Sequence, residues 1–104
     1  MGDRLEEIDP LALKSRLAQN RLSLIDVRSS SEYAEARIPG AILIPHTEIQ
    51  PKDLPTDRAW VLYCRSGNRS AQAAERLLAA GLSTVTHLKG GILAWNAAGY
   101  ETEH

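Results

Sequence analysis

The chain has 104 residues, 43% of them apolar, a formal charge of −1 and a single cysteine. That length favours one domain with one core, and the apolar fraction is enough to fold without disulfides or structural metal. An internal disulfide is excluded, and the near-neutral charge gives no electrostatic reason for a nucleic-acid or anionic-membrane partner.

The opening MGDRLEEIDP lacks the apolar run of a signal peptide, and no stretch approaches a membrane span. With a lone thiol, this sets the expectation of a reducing, cytoplasmic setting. Leu5 to Ile8 reads as a short additional strand. Ile8-Asp9-Pro10 reads as a helix entry, with Asp9 as N-cap and Pro10 at the first helical position. Ile8 and Leu13 then stand as a hydrophobic staple, and Leu13 and Leu17 share a face. Leu22 to Val27 is an apolar run too short for a helix and suited to a buried strand. Ser29-Ser30-Ser31-Glu32 supplies a capping box for a brief helix to about Ala36. Pro39 and Gly40 end that segment, and Ala41 to Ile44 gives a second apolar strand.

Pro45 to Arg58 is irregular, broken by Pro51 and Pro55. Ala59 to Tyr63 is a third strand. A polar loop, Cys64 to Arg69, leads into a helix from Ser70 to Ala80 that Gly81 stops, with Ala71, Ala74, Leu77 and Leu78 on one face. Val85 to Leu88 is another strand, and Gly90-Gly91 opens a last helix over Ile92 to Ala98, ended by Gly99. No repeat, low-complexity tract or linker divides residues 1–104. Continuous apolar strands separated by helices predict an α/β fold: a central, mainly parallel sheet with helices on both faces.

In such a sheet, ligands bind beyond the carboxyl ends of the strands. Two such ends carry polar residues: Asp26-Val27-Arg28, and Cys64-Arg65-Ser66-Gly67-Asn68-Arg69-Ser70. The second has what a thiolate needs. Successive backbone N–H groups in a glycine-containing loop converge into an anion nest, and the following helix aims its positive end at the same point. Arg65 and Arg69 add full charges. All three favour ionised Cys64, whereas a free cysteine, with a pKa of ~8.5, is only slightly ionised at neutral pH. A lone cysteine at a strand end is often just a small buried hydrophobe; here the surrounding loop argues for a nucleophile. Asp26 either orients a loop arginine from the neighbouring strand end, or pairs with Arg28 and caps a turn. His46, His87 and His104 form no ligand pattern with Cys64, so no metal and no cofactor is expected; His46 and His87 are read as surface or satisfied residues with no role, and Trp60 and Trp95 as core.

At these residues the sequence resembles the rhodanese (thiosulfate sulfurtransferase) family, single-domain type. Leu24-Ile25-Asp26-Val27-Arg28 with Glu32-Tyr33 and Ile38-Pro39-Gly40-Ala41 is similar to its N-terminal signature, Tyr63 to Ser70 to its active-site loop, and Leu88-Lys89-Gly90-Gly91-Ile92 with Ala94-Trp95 and Ala98-Gly99-Tyr100 to its C-terminal signature. Arg37 departs from the pattern, standing where the family usually has His. The resemblance implies a rhodanese-like domain in which Cys64 accepts a sulfane sulfur, the loop backbone cradles the persulfide, and Arg65 and Arg69 help bind the donor.

The reaction so implied takes sulfur from a small anionic donor such as thiosulfate and passes it to cyanide, an external thiol or a partner protein. With no second cysteine, the acceptor must come from outside the chain. A persulfide carrier serving one biosynthetic partner is the alternative reading. A cysteine phosphatase or arsenate reductase ranks lower, because such loops are one residue longer than the four residues between Cys64 and Arg69. A non-catalytic module keeping the fold is argued against by the retained nucleophile.

Overall fold

Strands and helices alternate along residues 4–104, the part of the chain that the computed structural model describes. They run β1 (Arg4–Ile8), α1 (Pro10–Ala18), β2 (Leu22–Asp26), α2 (Ser30–Glu35), β3 (Ile42–Leu43), a 3-10 turn (Pro51–Asp53), β4 (Ala59–Tyr63), α3 (Asn68–Ala79), β5 (Thr84–Leu88) and α4 (Gly91–Ala97). The strands form one parallel sheet in the order β1-β5-β4-β2-β3. Leu5–Ile8 therefore does add a strand, on the edge beside β5.

The local signals act as their chemistry requires. Asp9 accepts from the Ala12 N–H at 2.8 Å with Pro10 at the first helical position, and Ile8 and Leu13 are buried in one cluster. Ser29 and Glu32 close a reciprocal capping box on α2. Gly81 ends α3 in the left-handed region, with Leu82 N–H returning to the Leu77 carbonyl and Gly81 N–H to Leu78.

Alternation along the buried strands feeds two cores. Leu24, Val61 and Tyr63 face one side, with Leu13 of α1 and Ile92 and Trp95 of α4. Ile25, Leu62 and Cys64 face the other, with Ala73, Ala74 and Leu77 of α3. Both faces are thus covered, as parallel sheets require.

Beyond shifts of one residue at element ends, two boundaries and one helix face differ from expectation. β3 keeps only Ile42–Leu43 of the run Ala41 to Ile44; Gly40 and Pro45 flank it and leave little chain to pair. The inward face of α3 carries Ser70, Ala73, Ala74 and Leu77, with Ala71 and Leu78 at its margins. Most consequentially, α3 begins at Asn68, not Ser70. Gly67 is its N-cap at φ +115°, so Asn68 and Arg69 belong to the first helical turn. No helix among the described residues is long and apolar enough to cross a membrane.

Candidate active site

Cys64 follows β4, which lies between β5 and β2, so its side chain stands at the carboxyl end of the sheet's middle. It is 1% exposed. The loop Cys64–Gly67 turns sharply into α3, and this turn brings the Gly67 N–H to 3.0 Å from Sγ. Burial alone would push the thiol pKa up. The Ser70 hydroxyl, then the backbone N–H groups of Ser70, Gly67 and Ser66, outweigh it and hold Cys64 below the ordinary thiol value. Ser70 is at N3 of α3, where the backbone N–H has no helical partner and is free to point at sulfur.

The two loop arginines, expected to add full charges beside the nest and the helix end, differ in their surroundings. Arg69 forms a two-point ion pair with Glu32 of α2, at 2.6 and 2.8 Å. Its charge still acts favourably with Cys64, but it is largely matched by a carboxylate held down to about 2, chiefly by Arg69 itself. Arg65 is exposed, and its guanidinium makes no hydrogen bond or ion pair among the described residues. Ser66 and Asn68 are also exposed, so a polar rim surrounds a buried sulfur.

The loop is held from behind by α4. Ile92 N–H donates to the Cys64 carbonyl at 2.9 Å and Leu93 N–H to the Arg65 carbonyl at 3.1 Å. With its carbonyls drawn towards α4, the loop is left with N–H groups facing Sγ. Gly91, at φ +62°, permits this approach: a β-carbon there would lie 2.4 Å from the Arg65 carbonyl oxygen.

Asp26 and Arg28 pair with each other and reach neither loop arginine; the role of orienting one is therefore withdrawn. Arg28 Nη2 and Nε donate to Asp26 at 2.6 to 3.1 Å, and Arg28 Nη2 also donates to the Ala36 carbonyl. Tyr63, read in the sequence as the end of its strand and the start of the loop signature, donates its hydroxyl to Asp26 at 2.7 Å and accepts from the Ile38 N–H at 3.1 Å. Burial and then the Asp26 charge push the Tyr63 phenol up. The cluster ties the ends of β2 and β4 to the segment after α2.

Arg37, in the position usually held by His, lies over the Tyr33 ring and pairs with Glu103, joining the C-terminal segment to α2. Trp95 is core, and Trp60 is half-buried against the second cluster. His46 lines a cleft of about 400 Å³ with Arg28, Ser29, Thr47 and Arg69. A larger groove of about 550 Å³ lies by Lys14, Leu17, Trp95 and Tyr100 and contains none of the residues around Cys64. We place the chemistry at Cys64 and not there, because the groove holds no nucleophile.

Two contributors escape a reading by sequence. Glu32 is absorbed by the capping-box motif, which gives no sign that its carboxylate also holds Arg69. His87 is buried and hydrogen-bonded to Ser70 at 2.7 Å. Alternation in Thr84-Val85-Thr86-His87-Leu88 points it inward with Val85, and that was the available signal.

The rhodanese-like domain family matches residues 9–98. A sulfurtransferase of Allochromatium vinosum is 42% identical over 94 residues, spanning 88% of each chain. The probable adenylyltransferase/sulfurtransferase MoeZ of Mycobacterium tuberculosis is 45% identical over 93 residues, which is 85% of this chain but 24% of that protein. A crystal structure of a rhodanese-related protein from Thermoplasma volcanium superposes with a TM-score of 0.81 at 32% identity, covering 94% of this chain and 97% of that one.

Proposed function

This chain belongs to the rhodanese-like family, and on that footing we propose that it is a single-domain sulfurtransferase that carries sulfane sulfur as a persulfide on Cys64. The observation that carries the proposal is the Gly67 N–H donating at 3.0 Å to a buried sulfur that the Ser66 and Ser70 backbone N–H groups also favour as thiolate. An anionic sulfur is what such a nest stabilises.

In the first half-reaction the Cys64 thiolate attacks the outer sulfur of thiosulfate. The sulfur–sulfur bond of the donor breaks, sulfite leaves with the bonding pair, and a persulfide remains. Arg65 is the cation available to meet the donor, since Arg69 is engaged by Glu32. In the second half-reaction cyanide or an external thiol removes the sulfur. The single cysteine of the chain cannot resolve the persulfide internally. The free thiol that the cycle needs suits a reducing compartment such as the cytoplasm.

A carrier role towards a protein acceptor is a second reading, supported by the exposed rim of Arg65, Ser66 and Asn68 around the buried sulfur. A phosphatase reading has less support: its transferred group needs a free arginine at the far end of the loop, and Arg69 is held by Glu32.

The test is thiocyanate formation from thiosulfate and cyanide. Wild type is expected to turn over and Cys64→Ala to be inactive. Turnover that survives Cys64→Ala would overturn the proposal. No turnover with thiosulfate, alongside sulfur uptake from a protein persulfide, would favour the carrier.

A further inference from the structure

His87 sits one residue from the end of β5, opposite Glu7 of β1 and Leu62 of β4 in the strand register. Its side chain is only 5% exposed, so each ring nitrogen needs a partner. Nδ1 lies 2.7 Å from Oγ of Ser70, and Nε2 lies 3.4 Å from Oε2 of Glu7, which is half exposed. Ser70 is fully buried, and its Oγ is 3.5 Å from Cys64 Sγ and 3.2 Å from the Gly67 carbonyl. One hydrogen-bonded line therefore runs from the reactive sulfur through Ser70 to His87, whose far nitrogen stands 3.4 Å from a carboxylate at the sheet edge.

The protons on that line are countable. Ser70 has one hydroxyl proton and can accept in turn. When Cys64 is a thiol, S–H donates to Ser70 Oγ, the Ser70 proton goes to a bare His87 Nδ1, and Nε2–H faces Glu7. When Cys64 is a thiolate, Ser70 must donate to sulfur, and Nδ1 must carry a proton to donate to Ser70. The two states of the cysteine thus favour opposite states of His87 Nδ1, with the Gly67 carbonyl at 3.2 Å as the competing acceptor for the Ser70 proton.

We propose that Ser70 and His87 form a proton relay that activates Cys64, with His87 taking the thiol proton through Ser70. The Sγ–H and Ser70 Oγ–H bonds break as a new Oγ–H bond and an Nδ1–H bond form. The product is a thiolate and an imidazolium, with no change in oxidation state. Glu7 faces the resulting charge at Nε2, and the proton leaves to water at that edge once sulfur has been accepted. Ser70 touches the reacting sulfur; His87 acts through it as a positioning residue.

The surroundings of His87 fit this role. The titratable groups that face it are Glu7 from β1 and, through Ser70, Cys64 at the end of β4. A β-carbon on Gly67 would stand 3.9 Å from Cε1, and Arg69 of α3 turns instead to Glu32. Burial lowers the His87 pKa more than Glu7 raises it, which keeps the resting ring neutral and able to accept. The relay rests on reading Cys64 as the nucleophile, so its test does not use sulfur transfer.

The experiment is 15N NMR of the His87 ring nitrogens across neutral pH, alongside thiolate absorbance of the single cysteine. The reduced protein is compared with the same protein alkylated at Cys64. The expected result is that, as pH rises and the thiol proton passes to Nδ1, Nε2 releases its own proton to water. The ring then changes from Nε2–H to Nδ1–H with the same midpoint as thiolate formation, and alkylation removes this step. In Ser70→Ala the two groups are expected to titrate separately, with the thiolate midpoint about one pH unit higher and alkylation at neutral pH roughly tenfold slower. His87→Asn keeps a hydrogen-bonding group near Ser70 but cannot take a proton, and is expected to slow alkylation similarly. An Nδ1 that keeps one protonation state throughout, or titrates identically after alkylation, overturns the relay. Sulfur transfer could then still stand, just as the relay could be observed in a protein that refuses thiosulfate.

Discussion

Gly91 and Cys64 approach so closely that a β-carbon on Gly91 would stand 2.5 Å from the Cys64 carbonyl oxygen. Gly91→Ala is therefore predicted to displace the Cys64 loop or the start of α4. Gly40 serves as the control: it also has a positive φ, +83°, but nothing lies within 4 Å of its missing β-carbon. Gly40→Ala should cost about 1–2 kcal/mol of backbone strain, whereas Gly91→Ala should cost clearly more and also slow Cys64 alkylation. Denaturant unfolding and thiol-reaction rates of the two variants check this.

Arg65 is the unengaged cation of the loop, and Arg69 is the engaged one. Arg65→Ala is predicted to raise KM for thiosulfate roughly tenfold with little change in kcat, as expected for loss of one charge-assisted contact. Added salt should weaken donor binding in wild type more than in the variant. Steady-state kinetics at two ionic strengths measure both.

Glu32→Gln keeps a side chain able to close the capping box but removes the charge opposite Arg69. Both side chains are a little under one-third exposed, so the loss should be about 1 kcal/mol at neutral pH. The sign with pH follows from the lowered carboxyl. Folded Glu32 ionises at about 2, below the ~4.3 of an unfolded glutamate, so the unfolded chain binds the proton first. The advantage of wild type should be full above about pH 4.5 and fade as pH falls towards 2. Urea unfolding of both proteins across that range gives the difference.

Arg28→Met would leave the Asp26 carboxylate, which is fully buried, without its cation. A loss of about 3–5 kcal/mol is predicted. Adding Asp26→Leu should recover part of it, because the uncompensated charge is then gone. Tyr63→Phe, which strips a hydrogen bond from Asp26 and another from the Ile38 N–H, should cost about 1–3 kcal/mol. Equilibrium unfolding of the four proteins decides these values.

Much of the frame was legible because local chemistry and tertiary structure agree. Asp9-Pro10, the Ser29 capping box and the apolar runs of β2 and β4 each have one good solution. The start of α3 was misplaced because Asn68 and Arg69 are ordinary helix residues behind a glycine whose left-handed backbone the sequence does not print. Side-chain partners were the least legible part. That Glu32 holds Arg69 and that His87 reaches Ser70 depend on how segments distant in sequence come together, and the two readings of Asp26 are separated only by where the loop arginines lie. Leu62, Glu7 and His87 share a level of the sheet only because β5 lies between β1 and β4.

The central claim is that Cys64 takes up sulfur as a persulfide, and the most direct measurement is the intact mass of the reduced protein after incubation with thiosulfate, beside Cys64→Ser. The account predicts a gain of one sulfur atom in wild type, reversed by cyanide and absent from the variant. An unchanged mass, with Cys64 shown to be free and reactive, would contradict thiosulfate as donor; an unchanged mass with a protein persulfide donor as well would contradict the sulfurtransferase account itself.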